Sequence, residues 1–516
     1  MPEAPWWKTA VVYQIYPRSF ADGGRGGPAG AGVGDLEGIR RHLDHLSWLG
    51  VDAVWLSPFY RSPMADFGYD VSDHCDVDPV FGSLADFDRL LAEAHQRGLR
   101  VLIDWVPNHT SDRHPWFLAA RSSRHDPNRS WYIWRDPAPD GGPPNNWRAA
   151  FGDDVAAWTL HPGTGQYYLH LFLPEQPDLN WSHRPVVEAM HDMLRFWLDR
   201  GVDGFRADVV HGIGKDPALA DDPVELVGQP RSSTNDDPAT HDLLREIRAL
   251  LDTYPGQRVM VGEVYLLDTA KVAPYYGADD ELHLAFNFPP LFAPWDGEAW
   301  RSEIEAVQRH LLDAGAWPTW VLGNHDTARP TTRYGSEARA RAAGVLLLAL
   351  PGTPFLYAGD ELGLEDAIIP PEAVVDPGGR DGCRAPLPWD SSPGHGWGAS
   401  PWLPWPPEAD SRNVALQRDD PGSILHLYRR LLEARRASPA LSLGRIDLLD
   451  APTGVLAWTR RSGEDRRMAA VNFTTTAVTV PHAGHWKLEV ASDGAGEGTA
   501  WDGTLAPDQA VILRPD

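Results

Sequence analysis

Arg206 and Asp208 lie two residues apart in the otherwise apolar stretch GVDGFRADVV, Gly201 to Val210. Residues two apart on an extended chain leave the same face, so a cation and a carboxylate are presented together. Glu263 in VMVGEVY and Asp326 in LGNHD end similar apolar runs. A lone acid at a strand end commonly caps a helix or pairs across a loop. Three acids at the ends of separate strands need a common reason. Paired carboxylates suit cleavage of a glycosidic bond, one serving as acid and the other as nucleophile or base, and their environments must differ. At ~4 Å and an effective dielectric of ~20, Arg206 attracts Asp208 by on the order of 4 kcal/mol, or ~3 pKa units, and is expected to keep it ionised. Glu263 has apolar sequence neighbours and no adjacent cation, so desolvation and nearby carboxylates are expected to raise it toward a working proton donor.

Such side chains meet only if their strands share a mouth. Eight apolar runs, starting at Val11, Val51, Val101, Val202, Arg258, Leu284, Pro318 and Pro354, are each followed by a helical pattern. Near-continuous apolar strands alternating with helices imply a parallel sheet covered on both faces, and eight of them predict a closed (β/α)8 barrel whose strand ends converge on one side. Phe87, Leu90, Leu91 and Ala94 share one face of a helix that Gly98 stops. The pattern breaks after VLIDWVPNHT until about Trp181, too long for a bare loop, so an inserted subdomain is expected over residues 109–180. The barrel then comprises residues 1–108 and 181–437. Beyond Ser438, short alternating strands such as VLAWTRR and MAAVNF predict a small C-terminal antiparallel β domain over residues 438–516.

The chain has 516 residues, 42% hydrophobic and 23% charged, enough to bury a large core. Its formal charge of −26 argues against nucleic-acid and anionic-membrane partners and favours a neutral or cationic ligand. Cys75 and Cys383 are too few for a disulfide framework, which points to a cytoplasmic setting. MPEAPWWK lacks a signal-peptide pattern, and AAGVLLLAL ends at Pro351 before it could span a bilayer.

DWVPNH, GFRADVVH, GEVY and LGNHD, in this order and at strand ends, resemble the four short regions of the α-amylase superfamily of retaining α-glycosidases, glycoside hydrolase family 13. QPDLN, Gln176 to Asn180, is similar to the fifth region of its oligo-1,6-glucosidase and α-glucosidase branch. With VVYQIYPRSF and PGTPFLYAGDELG, the likeness runs over nearly the whole chain. It implies an exo-acting α-glucosidase acting on short oligosaccharides or α-glucosides. Asp208 would be the nucleophile, Glu263 the general acid/base and Asp326 the transition-state stabiliser, with Arg206, His109 and His325 around the first sugar. DFGYD, Asp66 to Asp70, resembles a pocket-closing segment: Asp66 with Arg384, or alternatively Arg380, would grip the terminal 4-hydroxyl, Tyr69 would stack beneath the ring, and Phe151 would form an aromatic wall. Val209 after the nucleophile accompanies α-1,6 activity in this branch, with exceptions, which leaves linkage preference open. An α-glucosyltransferase or sucrose-type isomerase using the same intermediate is the alternative, and a non-catalytic binding subunit a remote one.

Relatives often carry a calcium-binding acidic loop where this chain has DGGRGGPAGAGVGDL. Asp22 and Asp35 survive, but Gly, Ala, Pro and Arg25 replace the other ligands, and calcium wants six to eight oxygens. Backbone carbonyls could still complete a calcium site with Asp22 and Asp35, or Arg25 could stand in for the ion; no metal or cofactor is expected to be required.

Overall fold

The computed structural model describes residues 4–24, 32–152, 154–226 and 234–516. Its main sheet has eight parallel strands: β1 (Val12–Ile15), β2 (Ala53–Leu56), β3 (Arg100–Trp105), β4 (Gly204–Ala207), β5 (Val259–Gly262), β6 (Leu284–Ala285), β7 (Thr319–Val321) and β8 (Thr353–Tyr357). The order β6-β5-β4-β3-β2-β1-β8-β7 winds the strands around a barrel, as the sequence predicts. Among the described residues no ladder joins β6 to β7; the Thr319 hydroxyl instead donates to the Ala285 carbonyl, 2.8 Å away, across that seam.

Strand alternation sorts the side chains into two packed layers. Val12, Trp55, Leu102, Val261 and Phe355 form one buried cluster inside the barrel. Val54, Ile103, Phe205, Met260 and Leu356 join the larger cluster shared with the helices. In the helix α1 (Leu84–Gln96), Ser83 caps the first turn, Phe87, Leu90, Leu91 and Ala94 are buried, and Gly98 follows at φ +75°.

Between β3 and β4 the chain leaves the barrel. Trp134–Arg135, Gln166–Leu169 and Trp158–His161 pair in that spatial order as a small antiparallel sheet over its own core, which includes Ile133, Trp147 and Leu171. A bridge between His109 and Asp178 ties this subdomain to the end of β3, and one between Tyr132 and Leu179 closes it on itself. At the other end of the chain, β9 (Arg445–Leu449), β10 (Val455–Ser462), β11 (Asp465–Asn472), β12 (Trp486–Ala491) and β13 (Ala510–Pro515) form an antiparallel sheet in the order β9-β10-β11-β13-β12. It packs on the barrel helix α2 (Glu337–Ala349). Among the described residues no helix is long and apolar enough to cross a membrane.

Candidate active site

The alternation that packs Leu102 and Val261 inward carries Asp104 and Glu263 on the same face two residues later, and Asp104 is the register partner of Arg206 on β4. Arg206 is buried beneath the mouth. Its Nη1 donates to Asp104 Oδ1 at 2.6 Å and to Asp208 Oδ1 at 2.7 Å, and its Nη2 donates to Glu263 Oε2 at 2.6 Å. The cation expected to favour Asp208 alone is therefore shared by three acids, and Glu263, expected to lack a cation, has one in contact. The expectation for Asp208 changes with it. Burial pushes its carboxyl well up, Arg206 pulls against that, and the neighbouring Glu263 and Asp104 push further up.

A second charged cluster surrounds Asp326. Arg380 reaches Asp66 Oδ1 with Nη2 at 2.7 Å and Asp326 Oδ1 with Nη1 at 2.9 Å. Arg384, expected to hold Asp66, instead bonds Asp326 Oδ1 at 2.9 Å, Asp376 Oδ1 at 3.1 Å and the His325 carbonyl at 2.7 Å. The alternative partner, Arg380, holds Asp66 because it projects across the pocket while Arg384 is wholly buried behind it. Burial opposes the charge on Asp326, but the His325 ring, Arg380 and Arg384 together outweigh it and hold the carboxyl below its usual range.

His325 is kept neutral, pushed down to about 3 by burial. The Gln14 amide meets its Nδ1 at 2.7 Å and the Tyr69 hydroxyl meets its Nε2 at 2.5 Å. With Gln14 donating to Nδ1, the ring proton sits on Nε2 and points at Tyr69. His109, also lowered to about 3 by burial, meets Gln176 at 3.1 Å, and Gln176 donates to Asp66 Oδ2 at 3.0 Å. Phe151 lies under the Arg380 guanidinium, 5.0 Å from ring centre to Cζ.

These residues enclose two connected spaces. Asp66, Tyr69, His109, Gln176 and Asp208 line only the inner pocket. Ala149, Ala150, Asn235 and Tyr265 line only an outer chamber of about 440 Å³. Glu263, Asp326, Val209, Phe151, Phe172 and Arg380 border both. Arg206, His325 and Arg384 lie behind the inner wall. Val209, which continues the apolar run of β4 in the sequence, is in the left-handed region at φ 35° and ψ 41°, with its N–H donating to Glu263 Oε2 at 3.1 Å.

Gln14, Gln176, Asp376 and Lys215 were not singled out from sequence. Gln14 follows Val12 at a strand spacing of two, a signal that was readable. Lys215 carried none: its ammonium, buried, reaches Asn108 Oδ1 at 2.9 Å, the Gly212 carbonyl at 2.5 Å and Asp178 Oδ2 at 3.1 Å, so it joins the loops after β3 and β4 to the inserted subdomain. Of the suspected calcium loop, Asp35 accepts from the N–H groups of Gly38 at 2.6 Å and Gly23 at 3.1 Å, and Asp22 from Gly24 at 2.8 Å. Those carboxylates serve as backbone caps; Arg25 lies outside the described residues.

A "probable alpha-glucosidase" of Rhizobium meliloti (strain 1021) is 41% identical, with 93% of this chain and 91% of that one covered. An oligo-1,6-glucosidase of Parageobacillus thermoglucosidasius is 36% identical, with 92% and 91% covered. Among solved structures, the α-glucosyl transfer enzyme XgtA superposes with a TM-score of 0.91 at 40% identity over 100% of both chains. Residues 14–444 match the family model described as alpha amylase, catalytic domain. The eight-stranded barrel, the acids at its strand ends and this match together identify the chain as a member of the α-amylase family of glycoside hydrolases.

Proposed function

We propose that this enzyme is an exo-acting, retaining α-glucosidase that removes terminal α-glucosyl residues from short oligosaccharides or α-glucosides. One observation carries the reading: Asp208 and Glu263 share the Arg206 guanidinium, with Asp208 confined to the inner pocket and Glu263 on the border with the outer chamber. A glucose ring in the inner pocket presents its anomeric carbon to Asp208, and its glycosidic oxygen meets Glu263 where the leaving group enters the chamber. Asp208 attacks C1 while Glu263 protonates the departing oxygen; Glu263 then takes a proton from water, which opens the glucosyl-enzyme with net retention. Asp326, held anionic by Arg380 and Arg384, accepts hydrogen bonds from sugar hydroxyls. Asp66 and Arg380, with Tyr69, His109 and Gln176 beside them, meet the hydroxyls remote from the scissile bond and stop the chain from extending further. Two free thiols, Cys75 and Cys383, support a cytoplasmic location.

The test is hydrolysis of a nitrophenyl α-glucoside and of maltose, with the anomer of the first-formed glucose read by NMR. Release of α-glucose is expected, and Glu263→Gln should lose maltose hydrolysis while retaining part of the activity on α-glucosyl fluoride, whose leaving group needs no acid. Normal maltose turnover by Glu263→Gln would remove Glu263 from the acid role. A second reading, transfer of the glucosyl group to another alcohol, draws support from the match to the α-glucosyl transfer enzyme over the full chain. Product analysis after incubation with maltose, isomaltose and sucrose separates transfer and isomerisation from hydrolysis.

A further inference from the structure

Val209 is the only β-branched residue with positive φ among the described residues. A branched Cβ crowds the neighbouring backbone in the left-handed region, so such a residue persists only where its surroundings over-determine it. They do so here. The Asp208 N–H donates to the Trp105 carbonyl at 2.8 Å, the Glu263 N–H to the Ala207 carbonyl at 2.8 Å, and the Gly212 N–H to the Val209 carbonyl at 2.9 Å, which pins the chain on both sides of the turn. Across the turn, His211 Nδ1 lies 3.2 Å from the Glu263 carbonyl.

The turn aims the Val209 N–H at Glu263 Oε2, the same oxygen that accepts from Arg206 Nη2. A carboxyl oxygen that receives two N–H donors has both lone pairs engaged and cannot also carry the hydroxyl hydrogen without setting donor against donor. Resting on the acid role given to Glu263 above, we propose that Val209 is a positioning residue: its strained backbone N–H, with Arg206, fixes Oε2 as the carbonyl oxygen and assigns the transferable proton to Oε1. A continued strand at Val209 would direct this N–H elsewhere and leave the choice of oxygen to Arg206 alone. The presence of Val at this position then concerns proton delivery as well as the shape of the pocket it lines.

The decisive experiment removes the donor without removing the side chain. In the full-length enzyme, Val209 is replaced by α-hydroxyisovaleric acid, which exchanges the amide N–H for an ester oxygen. Alongside it, Val209→Gly keeps the N–H and favours positive φ. The ester variant is expected to lose about ten-fold in kcat/KM on maltose, the scale of one hydrogen bond to a charged group, and less than two-fold on α-glucosyl fluoride. The alkaline limb of its kcat/KM–pH profile should move to higher pH, because the lost donor had favoured the carboxylate form. The glycine variant should keep the limb of the parent enzyme. Equal losses on both substrates with an unmoved limb, an ester variant that behaves as the parent, or a glycine variant that shifts the limb as the ester does would each overturn the proposal. Glu263→Gln, assayed in parallel, tells the two ideas apart: if it turns over maltose normally, the acid role itself is wrong; if it does not, only the Val209 assignment is at stake.

Discussion

Arg380 joins Asp66 to Asp326: one guanidinium lies 2.7 Å from the first carboxylate and 2.9 Å from the second, linking acids that follow β2 and β7. Replacing it by Ala leaves Asp66 buried without its cation. Asp66 and Asp326 lose the guanidinium that orients them toward the sugar; two charge-assisted hydrogen bonds at about 1.5 kcal/mol each put the expected fall in kcat/KM of Arg380→Ala on a nitrophenyl α-glucoside at about 100-fold. The pocket end also opens, so activity on maltotetraose relative to maltose should rise. Initial rates on the two sugars check both points.

Asp104 touches no space in which a sugar would lie, yet its charge reaches Asp208. In the proposed mechanism Asp208 must be anionic to attack, so kcat/KM falls as pH drops through its pKa. Its carboxyl is raised by burial and, in part, by Asp104. Asp104→Asn removes that upward push, and the acidic limb of the kcat/KM–pH profile should move to lower pH. His109 and His325, lowered to about 3, remain neutral above that range and do not set the limb.

Lys215 brings its ammonium to Asn108, Gly212 and Asp178 within 3.1 Å. Lys215→Met strands a fully buried Asp178 and should cost about 3–5 kcal/mol. The double variant Lys215→Met with Asp178→Asn, which removes the orphaned charge, is expected to recover part of that loss. Thermal unfolding of the parent, single and double variants checks it.

Two buried arginines without an ion-pair partner among the described residues hold the joint behind the barrel: Arg460 ties the C-terminal sheet to α2, and Arg435, on the helix before that sheet, ties the segment after α2 to Leu441. Arg460 Nη1 donates to the Ala349 carbonyl at 2.6 Å, at the end of α2, and its Nη2 to the Gly444 carbonyl at 2.8 Å; Arg435 Nη1 donates to Leu348, Leu350 and Leu441. Arg460→Met takes the guanidinium donors away from the buried Ala349 and Gly444 carbonyls, at about 1–3 kcal/mol each. Its Tm should drop while kcat on the nitrophenyl glucoside stays within about two-fold, since the site lies at the strand ends beyond the joint.

The barrel was legible because alternation in the strands is a local signal: the period that puts Leu102 and Val261 inside puts Asp104 and Glu263 at the mouth. The acids themselves were legible for the same reason. Charge sharing was not, because Arg206 meets Glu263 across 57 positions of sequence and Arg380 meets Asp66 across 314. The choice of Arg380 over Arg384 depends on which of two arginines four residues apart in one loop faces the cavity, and no sequence period decides that in a 3-10 turn. The left-handed turn at Val209 was hidden for a different cause. Apolar and β-branched, Val209 looks like a strand residue, and only the strand's end at Ala207 allows the chain to turn left-handed there.

The border position of Glu263 governs traffic as well as chemistry. In the proposed mechanism a single carboxyl releases the first alcohol and later activates its replacement, so both have to stand on the same side, in the chamber walled by Tyr265 and Asn235. A spent sugar that lingers there denies the spot to water and is first in line to recapture the glucose. The balance between hydrolysis and resynthesis is thus a property of how long that vestibule keeps its guest, and variants of its walls should tune the balance while the acids stay untouched.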